Sequence, residues 1–337
     1  MKTFQFFIPS LLITVAALGA VYLYGGLSAL LLAALLSVLE VTLSFDNAVV
    51  NAKVLQRMTP KWQQRFLTWG ILIAVFGTRL VLPILIVAAV VWVSPWTIAQ
   101  MALFSPDEYG HLLEGARYAI NSFGAAFLLM VSLKYFMDAS KERHWLEIIE
   151  RYLSKWGRIE SLEIALGLLA LSVVAFLVPH EEMGIVLFSG IIGIVLFILM
   201  QGITSSFSVT TEDVTKAGLA LFIYLNILDS AVSLDSVVGA FALSTSIPVI
   251  VAGLGIGAYF VRSLTIYLVQ RKALASIVYL EHGTHWAIFG LAGSMYVSLL
   301  VEVPEIITGG IGLVFVVAAY YSSVLLRKRN HETQTVA

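Results

Sequence analysis

Four acidic residues stand out within long apolar segments, where ionisable side chains are costly and usually functional. Glu40 and Asp46 belong to the segment LEVTLSFDNAVV, and Asp229 and Asp235 belong to LDSAVSLDSVVG. Aligned on their first acids, both segments read an acid, five residues and then an aspartate. Carboxylate, amide and hydroxyl oxygens without sulfur are typical ligands of hard cations such as Mn²⁺, Mg²⁺ and Ca²⁺. The repeated pattern therefore predicts a cation site built from both segments.

Helical spacing decides which side chains can join each first acid. Residues four and seven positions later share its face, whereas a residue six positions later lies about 240° round the helix. Either Asp46 and Asp235 serve a second site, or each helix unwinds near Phe45 and Leu234 so that its two carboxylates converge, as in the broken helices of transporters. The predicted metal ligands are Glu40, Asp46, Asn47, Asp229, Asp235 and Ser236, with supporting hydroxyls from Ser44 and Ser233.

The apolar segment after each acidic one carries a single arginine. Arg79 lies in WGILIAVFGTRL and Arg262 lies in AGLGIGAYFVRSL. Each arginine is expected either to be a counter-ion that holds the acids in place or to take part directly in gating or anion contact. Four ionised acids and two arginines leave a charge of about −2, which suits one divalent cation or a cation exchanged for protons.

The composition excludes a soluble globular enzyme. The chain has 337 residues, of which 59% are hydrophobic and only 12% charged, with no cysteine and a net charge of −1. The near-zero net charge provides no basic field for nucleic acid, and the absence of cysteine excludes disulfides and thiolate metal sites. No GxxxxGK[ST] loop occurs, so ATP hydrolysis through such a loop is excluded. We expect a membrane protein that is not an enzyme and has no bound cofactor.

Apolar segments of about 20 residues are long enough to cross a hydrocarbon core of ~30 Å. They predict an all-α polytopic membrane protein with about ten transmembrane helices (nine to ten) containing two inverted three-helix repeats. The acidic segments are the second and seventh, so they cross in opposite directions, as in secondary transporters. The predicted parts are a transmembrane helix at 1–26, a first repeat at 27–137, a cytoplasmic amphipathic linker at 138–160, two extra transmembrane helices and a loop at 161–215, a second repeat at 216–301, a last transmembrane helix at 302–326 and a cytoplasmic tail at 327–337.

The basic residues predict the orientation, because lysine and arginine are retained on the cytoplasmic side. With both termini cytoplasmic, all of the 20 lysines and arginines except Arg79, Arg117 and Arg262 lie on that side. Within the linker, residues 141–156 alternate charged and apolar positions at helical spacing, with Ile148 and Tyr152 among the apolar ones. This pattern is typical of an amphipathic helix on the inner membrane surface, as a linker resting on lipid or as a regulatory latch.

The segments SVLEVTLSFDNAVV and WGILIAVFGTRL, together with LDSAVSLDSVVGAF and VRSL, resemble the TerC (tellurium-resistance) family of integral membrane proteins. This family falls within the wider LysE-like transporter group. The resemblance covers roughly 27–137 and 216–326, and the stretch SPDEYGHLLEGARYAINSFGAAFLLMVSLKYFMD is more similar to an uncharacterised TerC-like branch. It implies inverted three-helix repeats and, in some relatives, export of manganese or other metal ions. By position, Glu40, Asp46 and Asn47 correspond to the first motif, and Asp229, Asp235 and Ser236 to the second.

The sequence favours a secondary transporter that exports a hard divalent cation, manganese first, in possible exchange for protons. One alternative is a LysE-type exporter of an amino acid or small anion held by a buried arginine. A minor alternative is an intramembrane aspartyl protease, in which Asp46 and Asp235 would form a two-carboxylate dyad. The expected partners are the lipid bilayer and the transported metal ion or small molecule, without nucleic acid, and a homo-oligomer is left open. The resemblance implies a bacterial cytoplasmic membrane.

Overall fold

The computed structural model describes residues 7–139, 141, 143–157, 159, 161–208, 214–244, 246–270, 277–301 and 303–336, apart from some side chains within the helices. Every regular element in this part of the chain is a helix, which confirms the all-α prediction. The helices are α1 (Ile8–Leu43), α2 (Phe45–Gln56), α3 (Pro60–Leu72), a π-helix (Ile73–Val81), α4 (Leu82–Val91), α5 (Pro95–Phe104), α6 (Pro106–Gly115), α7 (Arg117–Phe136), α8 (Glu147–Trp156), α9 (Leu162–Leu177), α10 (Met183–Ser208), α11 (Val214–Leu243), α12 (Ile247–Gln270), α13 (Leu280–Ser298) and α14 (Glu305–Val336).

Six helical stretches in the described residues are long and apolar enough to cross a membrane. They are Ile8–Thr42, Pro60–Val91, Arg117–Phe136, Met183–Gly202, Ile247–Gln270 and Gly310–Arg327. Leu162–Leu177 and Gly218–Ser233 are apolar but shorter. These stretches indicate an integral membrane protein in a lipid bilayer, whereas ten crossings and two inverted repeats stay predictions. The last helix also continues beyond residue 326, so the backbone of the predicted tail is helical as far as Val336.

Helix α1 reverses direction at Gly26, where φ is 69° and ψ is −159°. Glycine adopts this positive φ without the penalty that a Cβ atom imposes. Before the reversal, Ser10 hydrogen-bonds to Ser263 at 2.5 Å. After it, Glu40 lies against Gly257, six residues earlier on α12. The two halves of α1 therefore pack side by side on α12 in opposite directions, close to the boundary predicted between the first two apolar segments.

Two irregularities lie in the helices that carry the first acids and arginine. Ser44 separates α1 from α2, although the amide of Ser44 still donates to the carbonyl of Glu40 at 2.9 Å. The segment Ile73–Val81 is a π-helix and includes Arg79. Such short π segments are rare and often occur at functional sites. By contrast, α11 runs through Asp229 and position 235 without a break, so only the first acidic helix is interrupted.

Helices α5 and α6 occupy the region between α4 and α7 and close one end of the bundle. Apolar side chains from these helices are fully buried against α1, α11 and α12. Within a bilayer such side chains stabilise the bundle by close van der Waals packing rather than by removal from water. The cluster, here named the apolar layer, includes Leu36, Ile98, Ile120, Leu113, Val237, Ala240 and Leu254. It lies at the end of the molecule opposite α8.

Helix α8 covers the later part of the segment predicted as an amphipathic helix over 141–156 and contains an unexpected buried acid. Ile148 and Tyr152 are 78% and 61% exposed, while Glu150 is fully buried; contact with the membrane surface stays a prediction. Trp286 on α13 donates to the Glu150 carboxylate at 2.9 Å, and His282 Nδ1 hydrogen-bonds to it at 2.7 Å. The backbone amides that precede α8 donate to the same group. Glu150 therefore anchors α8 to the bundle.

Candidate functional site

The first predicted acid forms a buried ion pair with the first predicted arginine. Arg79 Nη2 donates to Glu40 Oε1, and the hydroxyl of Ser44 donates to the same oxygen at 2.8 Å. Arg79 Nη1 also donates to the carbonyl of Ala74 at 2.5 Å. The side chains of Glu40 and Arg79 are 0% and 2% exposed. Arg79 is therefore a counter-ion of Glu40 in this structure, which was one of its two expected roles.

Asp229, the first acid of the second acidic segment, lies beside the amide of Asn47 from the first acidic segment. Asn47 Nδ2 donates a long hydrogen bond of 3.5 Å to Asp229 Oδ1. Asp229 also acts electrostatically on Arg262, whose guanidinium stacks 3.8 Å from the ring centre of Phe66. All three polar residues are buried. The second half of the chain thus repeats the combination of a buried acid with a buried arginine.

Two further contacts join the halves of the chain. Arg79 Nη2 lies 3.4 Å from the hydroxyl of Ser233, and Thr78 hydrogen-bonds to Ser230 at 2.9 Å. A small void of about 10 Å³, about the smallest volume that holds one water molecule, lies beside Arg79, and its polar lining is Ser44, Asn51, Arg79, Asp229, Arg262 and Thr265. We name these polar residues, together with those of the contacts described above, the central cluster: Glu40, Ser44, Asn47, Asn51, Thr78, Arg79, Asp229, Ser230, Ser233, Arg262 and Thr265.

The remaining predicted ligands contribute less or cannot be placed. The hydroxyl of Ser236 is buried and donates to the carbonyl of Ser233 at 2.9 Å, within its own helix. Asp46 lies in α2 and Asp235 in α11, but their side chains are outside the described residues. Their convergence, and the separation on which the protease alternative depends, therefore stay untested. Among the side chains that are described, no three histidine, aspartate or glutamate residues lie together in a way that could hold a metal ion.

Sequence reasoning missed several polar members of the central cluster. Asn51 lies four residues after Asn47 and seven after Ser44, so the spacing that identified the polar face of Glu40 could also have found it. Thr265 occupies the next turn after Arg262 on α12. Thr78 and Ser230 adjoin residues that were identified, but nothing in their local pattern predicts that the π-helix and α11 meet there.

The described part of the cluster is electrically balanced yet incompletely hydrogen-bonded. Glu40 and Asp229 match Arg79 and Arg262 in number. Four buried atoms have no hydrogen-bond partner among the described residues: Glu40 Oε2, Asn51 Oδ1, Arg79 Nε and Arg262 Nη1. Buried polar groups are rarely left in this state. The cluster therefore offers both acceptors for a cation or water and donors for an anion or water.

The comparison with known protein families places the chain in one of them. The family described as "Protein of unknown function (DUF475)" matches residues 45–331, which include Arg79, Asp229 and Arg262, while Glu40 lies just before the match. No curated protein matches the chain, and no solved structure does. Because the match extends over most of its length, the chain belongs to the DUF475 family of proteins of unknown function.

Proposed function

We propose that this protein is a secondary membrane transporter that exports a hard divalent cation, with manganese favoured, in exchange for protons. The main observation in support is that Glu40 and Asp229 lie in one buried polar cluster, although they come from matched segments in the two halves of the chain. Ionisable residues buried within membrane-spanning segments are rare and commonly mark ion or substrate pathways. Here two such acids share one cluster with amide and hydroxyl oxygens.

The chemistry of the cluster favours a hard cation. Its neutral ligands are the oxygens of Ser44, Asn47 and Asn51, and the chain has no cysteine to attract a soft metal. Oxygen ligands of this kind suit Mn²⁺, Mg²⁺ or Ca²⁺. The resemblance to the TerC family points the same way, since some of those relatives are linked to manganese export. Two inverted repeats would supply alternating access to the cluster.

In this proposal, the guanidinium of Arg79 neutralises Glu40 in the transporter without a bound cation. An isolated carboxylate would be costly in the membrane interior, so the guanidinium compensates Glu40 when no metal is bound. Cation binding then requires Arg79 to release Glu40 Oε1, and Glu40 Oε2 is already free of protein hydrogen bonds among the described residues. Competition between the guanidinium and the cation would allow the bound ion to be released again.

The test compares cells that express the wild type, the Glu40→Gln/Asp229→Asn variant or the control variant Glu181→Gln, whose residue is exposed between α9 and α10. Total cellular manganese, magnesium and calcium are measured after a challenge with each metal. We expect the wild type and the control to lower one metal and the double variant not to lower it. If no metal changes although all three proteins reach the membrane in equal amounts, the cation proposal is wrong.

A second candidate function is export of an amino acid or a small anion. It is favoured by one observation: Arg79 and Arg262 both border the central void, and each has a buried N–H group without a partner in the described residues. Guanidinium groups bind carboxylates with two parallel hydrogen bonds. Loss of metal export in Glu40→Gln supports the cation, whereas loss of amino-acid export only in Arg79→Ala supports the anion.

A further inference from the structure

A large cavity opens at the end of the bundle that carries α8. Its volume is about 860 Å³, and its walls come from α2, α7, α9, α10, α11 and α13. Residues that flank α8, including Asp138 and Ile159, lie at its rim. The basic residues of this end predict that it faces the cytoplasm.

The cavity reaches close to the central cluster. Val50 lines it and lies between Asn47 and Asn51 of the cluster on α2. On α11, Tyr224 lines it five residues before Asp229. At a rise of 1.5 Å per residue, Val50 lies about 4–5 Å along α2 from Asn47, and Tyr224 lies about 8 Å along α11 from Asp229. Little more than one helical turn separates the end of the cavity from the predicted ligands.

The opposite approach to the cluster is filled by apolar side chains. Leu36 lies one turn before Glu40 on α1, and Val237 lies two turns after Asp229 on α11; both belong to the apolar layer. Ile98 and Leu113 of α5 and α6 complete the layer on this side and are fully buried. Closely packed apolar side chains exclude water and ions, so among the described residues a cavity approaches the cluster from the α8 end and not from this one.

The charged side chains of the cavity are partly exposed, whereas those of the central cluster are buried. Lys53 pairs with Glu281, and Lys134 pairs with Glu163 at 3.0 Å. The side chains of Lys53, Glu281 and Lys134 are 35%, 34% and 49% exposed. Six waters at about 30 Å³ each occupy roughly 180 Å³, so a fully hydrated divalent ion fits here. The central void has room for about one water, so an ion must shed most of its hydration between the two.

We propose that this cavity is the access vestibule of the central cluster and that the structure is the state open toward the α8 end. The vestibule admits a hydrated divalent cation from that side, and the apolar layer is the closed gate on the other. This inference rests on the proposed function, because an access vestibule has a role only in a transporter. Its geometry can be tested without measuring transport.

The chain has no cysteine, so each introduced cysteine is the only thiol in the protein. Val50→Cys and Leu221→Cys place a thiol in the vestibule, and Val237→Cys places a matched one in the apolar layer. Exposed reporters for the two ends are Lys155→Cys on α8 and Glu108→Cys on α6. A charged, membrane-impermeant methanethiosulfonate reagent is added to intact cells or to inside-out vesicles. Thiols that remain are counted by a maleimide–polyethylene glycol gel shift after denaturation.

We expect Val50→Cys and Leu221→Cys to react in the same preparation as Lys155→Cys, at least tenfold faster than in the other preparation. Val237→Cys should stay unmodified in that preparation. The proposal is overturned if both vestibule thiols react only together with Glu108→Cys, or if neither reacts while Lys155→Cys does. The labelling experiment does not depend on transport. If the vestibule thiols react as expected but cellular metals do not change, the cation proposal is wrong and the access path is still supported.

Discussion

The change Glu150→Gln should release α8 from the bundle. Glutamine keeps the shape of the side chain but replaces one carboxylate oxygen by an NH₂ group. The groups around Glu150, including the indole of Trp286, the imidazole of His282 and the ammonium of Lys141 at 3.5 Å, present hydrogen-bond donors or positive charge. The new NH₂ group therefore meets donors, and at least one buried bond is lost.

The expected magnitude follows from the pKa of Glu150. Burial raises this pKa, but hydrogen bonds from His282 and Trp286 and the charges of His282 and Lys141 outweigh burial and lower it from 4.5 to about 2. A pKa change of one corresponds to about 1.4 kcal/mol, so the ionised carboxylate contributes about 3 kcal/mol to the docked state. Because the folded pKa is the lower one, this contribution is present above pH 4.5 and is lost as the pH falls toward 2.

Hydrogen exchange of the peptide that covers residues 145–157 measures this docking, since exchange of helical amides requires local opening. A loss of about 3 kcal/mol should raise the opening equilibrium about a hundredfold at pH 7. The control is Glu147→Gln on the same helix, whose exposed carboxylate lies 3.6 Å from Arg151. An exposed pair of this kind contributes about 0.5 kcal/mol or less. Equal exchange in the two variants would show that the buried carboxylate does not anchor α8.

Two further predictions concern packing and charge beside the central cluster. Gly257→Ala should lower the free energy of unfolding by about 1–3 kcal/mol, because the new Cβ would lie 2.5 Å from Glu40. The control Gly255→Ala should be tolerated, since the nearest contact of its Cβ is 3.4 Å away. Both are measured by the folded fraction that size exclusion recovers after heating. Glu40→Gln or Arg79→Met alone should lower the free energy of unfolding by about 3–5 kcal/mol, because each leaves one buried charge uncompensated. The double variant should lose less stability than either single variant. Strictly additive losses of stability would argue against the ion pair.

The sequence predicts the parts of the molecule that depend on short-range periodicity. The helical positions follow from apolar segments, and the polar face of Glu40 follows from the spacing of Ser44 and Asn47. The close approach of Gly253 and Gly257 to α1 is also as expected for small residues between membrane helices. In each case the deciding interaction lies within one helix or depends only on side-chain size.

Features that depend on distant partners could not be predicted in this way. Glu150 looks like one more charged position of an amphipathic helix, and its burial is decided by His282 and Trp286, more than 130 residues later. The π-helix around Arg79 reflects a shift in backbone hydrogen bonds that ordinary apolar residues accommodate without a sequence marker. Local patterns identify which side chains are unusual, but only the tertiary packing decides which of them meet.

Charge balance in the central cluster limits how the proposed transport can work. Glu40 and Asp229 are matched by Arg79 and Arg262, so a divalent cation bound to these residues alone would leave two uncompensated positive charges inside the membrane. Ionisation of Asp46 and Asp235, the second acid of each segment, would supply the missing two negative charges. If these aspartates are protonated in the empty transporter, binding of each divalent ion displaces two protons. In the proposed transport, the repeated acid pair would then link cation binding to proton release by the same requirement of neutrality.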